Sequence, residues 1–179
     1  MGRDKALLQF EGKTLLERAL ALASTLAQKV KIVGEPAKYR KFGAVVSDIY
    51  LDRGPLGGIH AALRNTDTDV NLILATDLPF VAPAFLQYLI ATARSTDALV
   101  TVPKFGQFFE PLCAVYKQGF ADVAQQALVE NKNKVDALFT TEIARLVTEE
   151  EILTAGFTPA IFRNLNTPED FASLQQNSL

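Results

Sequence analysis

The sequence predicts an α/β protein built on a mixed, mainly parallel sheet. Three observations carry that prediction. Short runs rich in Val, Leu and Ile alternate with stretches of helical periodicity, the order expected when helices connect parallel strands. The run Val70-Asn71-Leu72-Ile73-Leu74 ends in Ala75-Thr76-Asp77-Leu78-Pro79, as a buried strand does when it emerges from a sheet. Phe109 to Tyr116 follows the strand signal Asp97 to Pro103 after a short loop at Lys104 to Gln107, so it returns as a strand and makes the sheet mixed.

Taken in order, the chain opens on the polar segment Met1-Gly2-Arg3-Asp4-Lys5, followed by Ala6, Leu7 and Leu8. After a turn at Glu11-Gly12, the spacing of Leu15, Leu16, Ala19, Leu20, Ala23, Leu26 and Ala27 predicts a helix, and Thr14 with Glu17 forms its capping box. Val30 to Val33 reads as a short strand closed by Gly34, with Pro36 in a loop, and Gly43 to Val46 as the next strand, with Ser47 and Asp48 at its end. Gly54-Pro55-Leu56-Gly57-Gly58 reads as a loop whose bare backbone admits a flat or charged ligand, ahead of a helix starting near Ile59. His60 is read as a packed or solvated helix residue rather than a ligand. Helices follow at Phe85 to Ala93 and Phe120 to Leu128, and the tract Asn131-Lys132-Asn133-Lys134 is read either as a solvated loop or as one whose two lysines meet an anionic ligand. Val135 to Phe139 and Ile143 to Val147 carry weaker signals. A second capping box at Thr148 and Glu151 starts a short helix, Ala160 to Phe162 is read as a last strand, and Thr167-Pro168 opens a closing helix.

Composition narrows the function. The 179 residues suit one domain, 1–179, with no repeat or linker to divide it. Lys and Arg number 18 against 20 Asp and Glu and are scattered, which argues against nucleic acid as a partner. One cysteine, Cys113, and one histidine, His60, exclude an intramolecular disulfide, a cysteine-cluster metal site and most triad chemistry. No apolar run is long enough for a membrane span and nothing resembles a signal peptide, so the expected location is cytoplasmic. Asp77, at a strand's end, has two readings. It is either an anchor for a hard divalent cation that gathers a nucleotide's phosphates, or a cap for the helix around Pro83 to Arg94.

Four pieces in this order resemble the nucleotidyltransferases of the molybdenum cofactor guanylyltransferase family: Met1-Gly2-Arg3-Asp4-Lys5-Ala6-Leu7-Leu8, Gly54-Pro55-Leu56-Gly57-Gly58-Ile59, Leu74-Ala75-Thr76-Asp77-Leu78-Pro79-Phe80, and Asn164-Leu165-Asn166-Thr167-Pro168-Glu169-Asp170. They span almost the whole chain. The resemblance implies a three-layer α/β/α Rossmann-like fold and transfer of GMP from GTP to molybdenum-molybdopterin, with release of pyrophosphate. It matches Lys5 to a lysine that binds the triphosphate, Asp48 to an aspartate contacting the guanosine, and Gly54, Pro55, Leu56 and Gly57 to the base-binding loop. Asp77 matches the aspartate that holds Mg2+, and Asn164 and Asn166 match positions facing the pterin substrate. It further implies transient contact with the molybdoenzymes or cofactor chaperones that receive the product. Nucleotidyl transfer needs alignment and charge stabilisation more than a side-chain nucleophile, which suits this composition.

The family's signature begins with an apolar strand and a Leu-Ala-Gly-Gly-x-Ser-x-Arg loop before the Met-Gly-x-Asp-Lys piece. Here the sequence opens at that methionine. The expectation is an internal start, with about one strand and one loop more upstream. Two rival readings stay open: a nucleotidyltransferase of the same fold acting on a cytidine nucleotide or a sugar phosphate, and a catalytically dead nucleotide-binding scaffold.

Overall fold

The computed structural model of the protein describes residues 4–164. After a 3-10 turn at Lys5–Leu7, β1 (Gln9–Phe10) and β2 (Lys13–Thr14) form an antiparallel hairpin leading into α1 (Leu15–Ser24). Next come β3 (Ile32–Val33), α2 (Pro36–Tyr39), β4 (Val45–Val46), α3 (Gly54–Arg64), β5 (Val70–Leu74) and α4 (Pro83–Arg94). The second half contributes β6 (Val100–Phe105), β7 (Phe108–Phe109), β8 (Cys113–Lys117), α5 (Phe120–Val129), a 3-10 turn at Val135–Leu138, β9 (Ala144–Val147) and α6 (Glu149–Thr154).

The local signals that close within one helical turn form as read. The Glu17 amide donates to Thr14 Oγ1 at 3.1 Å while Glu17 Oε2 accepts from the Thr14 amide at 2.8 Å, and Thr148 with Glu151 repeats the box on α6. Pro36 opens a short helix rather than a loop, because its fixed φ suits a first helical turn. The Phe109 to Tyr116 run divides into β7 and β8, and Ala160 to Phe162 is not a strand. A 3-10 turn spans Pro159–Phe162, and Phe162 is apolar because its ring packs edge-on against Phe85 at 5.3 Å.

The α/β class holds, and the main sheet is mixed. Its balance leans further toward antiparallel pairing than expected. β8 lies between β5 and β6 and runs antiparallel to both, while β6 and β9 pair in parallel. β5, β6 and β9 therefore share one direction. β3 and β4 pair in parallel as a separate two-stranded sheet. β5 was expected to be buried, yet all five of its residues are half-buried. The reason is its position: among the described residues it pairs on one edge only, with β8.

Alternate residues of β8 separate two cores, as the period of two in a strand requires. Ala114 and Tyr116 join α3 (Leu56, Ile59, Leu63) and α5 (Phe120, Ala124, Leu128) on one face. Cys113 and Val115 join α4 (Phe85, Leu86, Leu89) and Ile152 of α6 on the other. Helices thus cover both faces of the sheet, which is the three-layer arrangement. Cys113 is fully buried, and that burial pushes its thiol up, away from reactivity.

Candidate functional site

The glycine-proline segment is the first turn of α3 itself, not a loop before it. Gly54 enters the helix at φ +59, a conformation that favours glycine, and Pro55 occupies the first turn. Leu56 is fully buried in the α3–α5 core, which draws the helix start back from Ile59 to Gly54. At Gly57 a Cβ would stand 3.0 Å from the Tyr50 carbonyl oxygen and 3.1 Å from Arg53 Cβ, a tight fit that requires these neighbours to give by a few tenths of an ångström. Arg53 is the N-cap and offers no side-chain hydrogen bond to the first-turn N–H groups.

Asp48 leans over this turn. Its Oδ1 atom lies 3.8 Å from the position of a Cβ on Gly58, is shielded from solvent and has no hydrogen-bond partner among the described residues. That burial holds the Asp48 carboxyl above its ordinary range. Arg53 Nη1 donates to Asn131 Oδ1 at 2.7 Å and so draws the Asn131 to Lys134 tract against the glycine turn. His60 packs as read: it is 2% exposed, edge-on to Tyr50 at 5.2 Å, with burial lowering its affinity for a proton.

Asp77 stands in the turn after β5, half-exposed. It does not cap the next helix, since the N-cap of α4 is Ala82 with no side-chain hydrogen bond. A second carboxylate joins it. The Ala75 amide donates to the Leu112 carbonyl at 2.6 Å, which ties the turn Glu110-Pro111-Leu112 to the exit of β5. Burial pushes the half-buried Glu110 carboxyl up, and the charges of Asp77 and Asp136 push it further. Sequence reading passed over Glu110, because nothing local distinguishes an acid before a strand. Only the register of β5 against β8, with the Ala75–Leu112 bond at its end, brings the Glu110 segment to the Asp77 turn.

Lys5 opens the 3-10 turn Lys5–Leu7 and is exposed. Its neighbour Asp4 makes two bonds: Oδ1 accepts from the Ala6 amide at 3.1 Å, and Oδ2 accepts from the Tyr39 hydroxyl at 2.6 Å. The chain from this turn reaches the Asp77 segment through Phe10, whose ring meets Phe80 edge-on at 6.0 Å. The two segments that carry the lysine and the metal-binding candidate therefore share one small cluster of Phe10, Leu15 and Phe80.

Residues 1–145 match the family model of the MobA-like NTP transferase domain. The chain belongs to the MobA-like NTP transferase family. It is similar to a probable molybdenum cofactor guanylyltransferase of Clostridium perfringens, 31% identical over 175 residues, covering 96% of this chain and 87% of that protein. A relative of the same name from Pelotomaculum thermopropionicum is 33% identical over 172 residues, covering 95% and 83%. Among solved structures, molybdopterin-guanine dinucleotide biosynthesis protein A of Archaeoglobus fulgidus superposes with a TM-score of 0.84 at 24% identity, covering 99% of this chain and 91% of that one.

In this MobA-like domain Asp48 lies beside Gly58 of α3, and the segments that carry Lys5 and Asp77 meet through Phe10 and Phe80. Asn164 is exposed at the end of the described chain, whereas Asn166 and the helix expected from Thr167 lie outside the described residues.

Proposed function

We propose that this MobA-like NTP transferase transfers GMP from GTP to molybdenum-molybdopterin, forming molybdopterin guanine dinucleotide with release of pyrophosphate. The observation that carries the reading is the shielded, unpartnered Asp48 oxygen beside Gly58 of α3, one residue past its first turn. A buried acceptor without a donor is costly, and a guanosine supplies donors from its N1–H and 2-amino edge or its ribose hydroxyls. The resemblance of the glycine-proline turn to the family's base-binding loop favours guanine over cytosine.

In the reaction a terminal phosphate oxygen of the pterin attacks the α-phosphorus of GTP. The new P–O bond forms as the bond to the bridging oxygen of the pyrophosphate breaks. Lys5 offsets the charge of the triphosphate as a compact cation. The first-turn amides of α3 and Asp48 hold the guanosine, and Asn164 and Asn166 are the residues assigned to the pterin by the family resemblance. Nothing here needs a side-chain nucleophile, so alignment carries the rate.

Asp77 would hold a divalent cation, which we take to be Mg2+. The fit is chemical: Mg2+ keeps several waters and uses one or two carboxylates plus substrate phosphates. One carboxylate with Glu110 close by matches that demand, and among the described residues no group of three or more ligating side chains forms a ready-made cage. When bound, the cation neutralises phosphate oxygens and polarises the reacting phosphorus. No described helix is long and apolar enough to cross a membrane, and we place the enzyme in the cytoplasm.

Calorimetric titration with GTP and with CTP in Mg2+, alongside Asp77→Ala, tests the reading. Selective GTP binding that the variant loses supports it. Equal binding of both nucleotides, or none to a folded chain, overturns it.

A further inference from the structure

Asp4 joins two parts of the chain that the sequence separates by 35 positions. Through Oδ1 it closes the turn that carries Lys5, and through Oδ2 it accepts the Tyr39 hydroxyl from the last residue of α2. The Tyr39 ring is itself seated. It lies over Gly34, where a Cβ would stand 2.8 Å from Tyr39 Cε2 and 3.0 Å from Cδ2. Gly34 is in turn fixed to the β3–β4 pair, its amide donating to the Val46 carbonyl at 2.9 Å. Two residues beyond Val46 stands Asp48, and Val33 Cγ1 lies 3.6 Å from the Cβ position of Gly58 on α3. Contacts therefore run from the Lys5 turn through Asp4, Tyr39 and Gly34 to the β3–β4 pair, and the chain continues two residues beyond Val46 to Asp48, which is assigned to guanosine.

We infer that Tyr39 is a positioning residue, which through Asp4 sets the Lys5 turn at a fixed distance from the guanosine subsite. This rests on the proposed role of Lys5 in binding triphosphate. The chemistry suits the task. A phenol donating to a carboxylate is a charge-assisted, short bond, and an aromatic ring has only two torsions to immobilise. A lysine on a four-carbon stem is flexible, so its effective placement depends on the backbone turn beneath it.

The test compares binding of GTP and of guanosine, with Mg2+ present, to the whole chain and to Tyr39→Phe, Lys5→Ala and the double variant. Tyr39→Phe keeps the ring and removes one hydroxyl, so folding is preserved. Gly34→Ala, which pushes the intact ring off its seat, serves as an independent second variant. The expected result is GTP binding weakened by about threefold to tenfold in Tyr39→Phe with guanosine binding unchanged. In the Lys5→Ala background the same substitution then has no further effect, because its influence passes through Lys5. A Tyr39→Phe variant that weakens GTP and guanosine alike is a structural lesion and overturns the assignment. So does one that leaves GTP affinity untouched while Lys5→Ala reduces it, and that outcome leaves the triphosphate role of Lys5 standing. If Lys5→Ala alone leaves GTP affinity unchanged, the triphosphate role falls and the positioning assignment falls with it.

Discussion

A Cβ placed on Gly57 would stand 3.0 Å from the carbonyl oxygen of Tyr50, a backbone atom that must give by a few tenths of an ångström to admit it. The adjacent Gly58 is different: there a Cβ meets only ordinary contacts, at 3.6 Å to Val33 Cγ1 and 3.8 Å to Asp48 Oδ1. Two neighbouring glycines thus carry opposite expectations. Gly57→Ala should destabilise the fold by about 1–3 kcal/mol through overpacking. Gly58→Ala should stabilise it by about 0.5–1 kcal/mol through helix propensity, yet weaken GTP binding because the methyl covers the Asp48 acceptor. Denaturant melts paired with GTP titrations check both.

Glu110 is held up in pKa by burial, then by Asp77 and Asp136. A carboxyl whose folded pKa is raised contributes most below its unfolded value, and its contribution is lost as pH climbs through the folded value. At neutral pH its ionised form is therefore a liability. Glu110→Gln should raise stability at pH 8 on the order of 0.5 kcal/mol, after allowing for solvent screening of a half-buried group, and give no gain near pH 3. Thermal melts at the two pH values decide the matter.

Tyr39 titrates late. Burial, followed by the hydrogen bond to Asp4, pushes its phenol up to about 12. The stabilisation from that raised value is complete below pH 10, the ordinary value, and disappears as pH rises toward 12. Spectrophotometric titration should show one phenol ionising near pH 12 that Tyr39→Phe removes.

Glu151 titrates in the opposite sense. The Arg145 guanidinium bonded to it, with help from the Thr148 amide and hydroxyl, lowers its carboxyl to about 2. A depressed acid stabilises above its ordinary value of 4.5, and that stabilisation is lost as pH falls from there toward 2. Glu151→Gln should reduce stability by about 1 kcal/mol at pH 7, since the pair is partly exposed, and by little at pH 2. Acid-unfolding curves of the two proteins should therefore converge at low pH.

The sequence by itself determined the features that close within a few residues. Both capping boxes formed, because Thr14 and Glu17, or Thr148 and Glu151, need only one helical turn to meet. The α/β class and the turn that presents Asp77 were legible for the same local reasons, whereas only the structure decided that His60, read as packed or solvated, is packed. Tertiary structure decided the rest. The return of the Phe109 to Tyr116 run was legible from its short loop, but strand spacing carries no record of which strands become neighbours, so the seat of β8 between β5 and β6 was not, and neither was the influence of Asp77 on Glu110. The burial of Leu56 in the α3–α5 core, not any local signal, pulled the glycine-proline segment into the helix. The Asp4–Tyr39 bond spans a gap that no periodicity reaches, because such contacts depend on how whole elements pack rather than on neighbours in the chain.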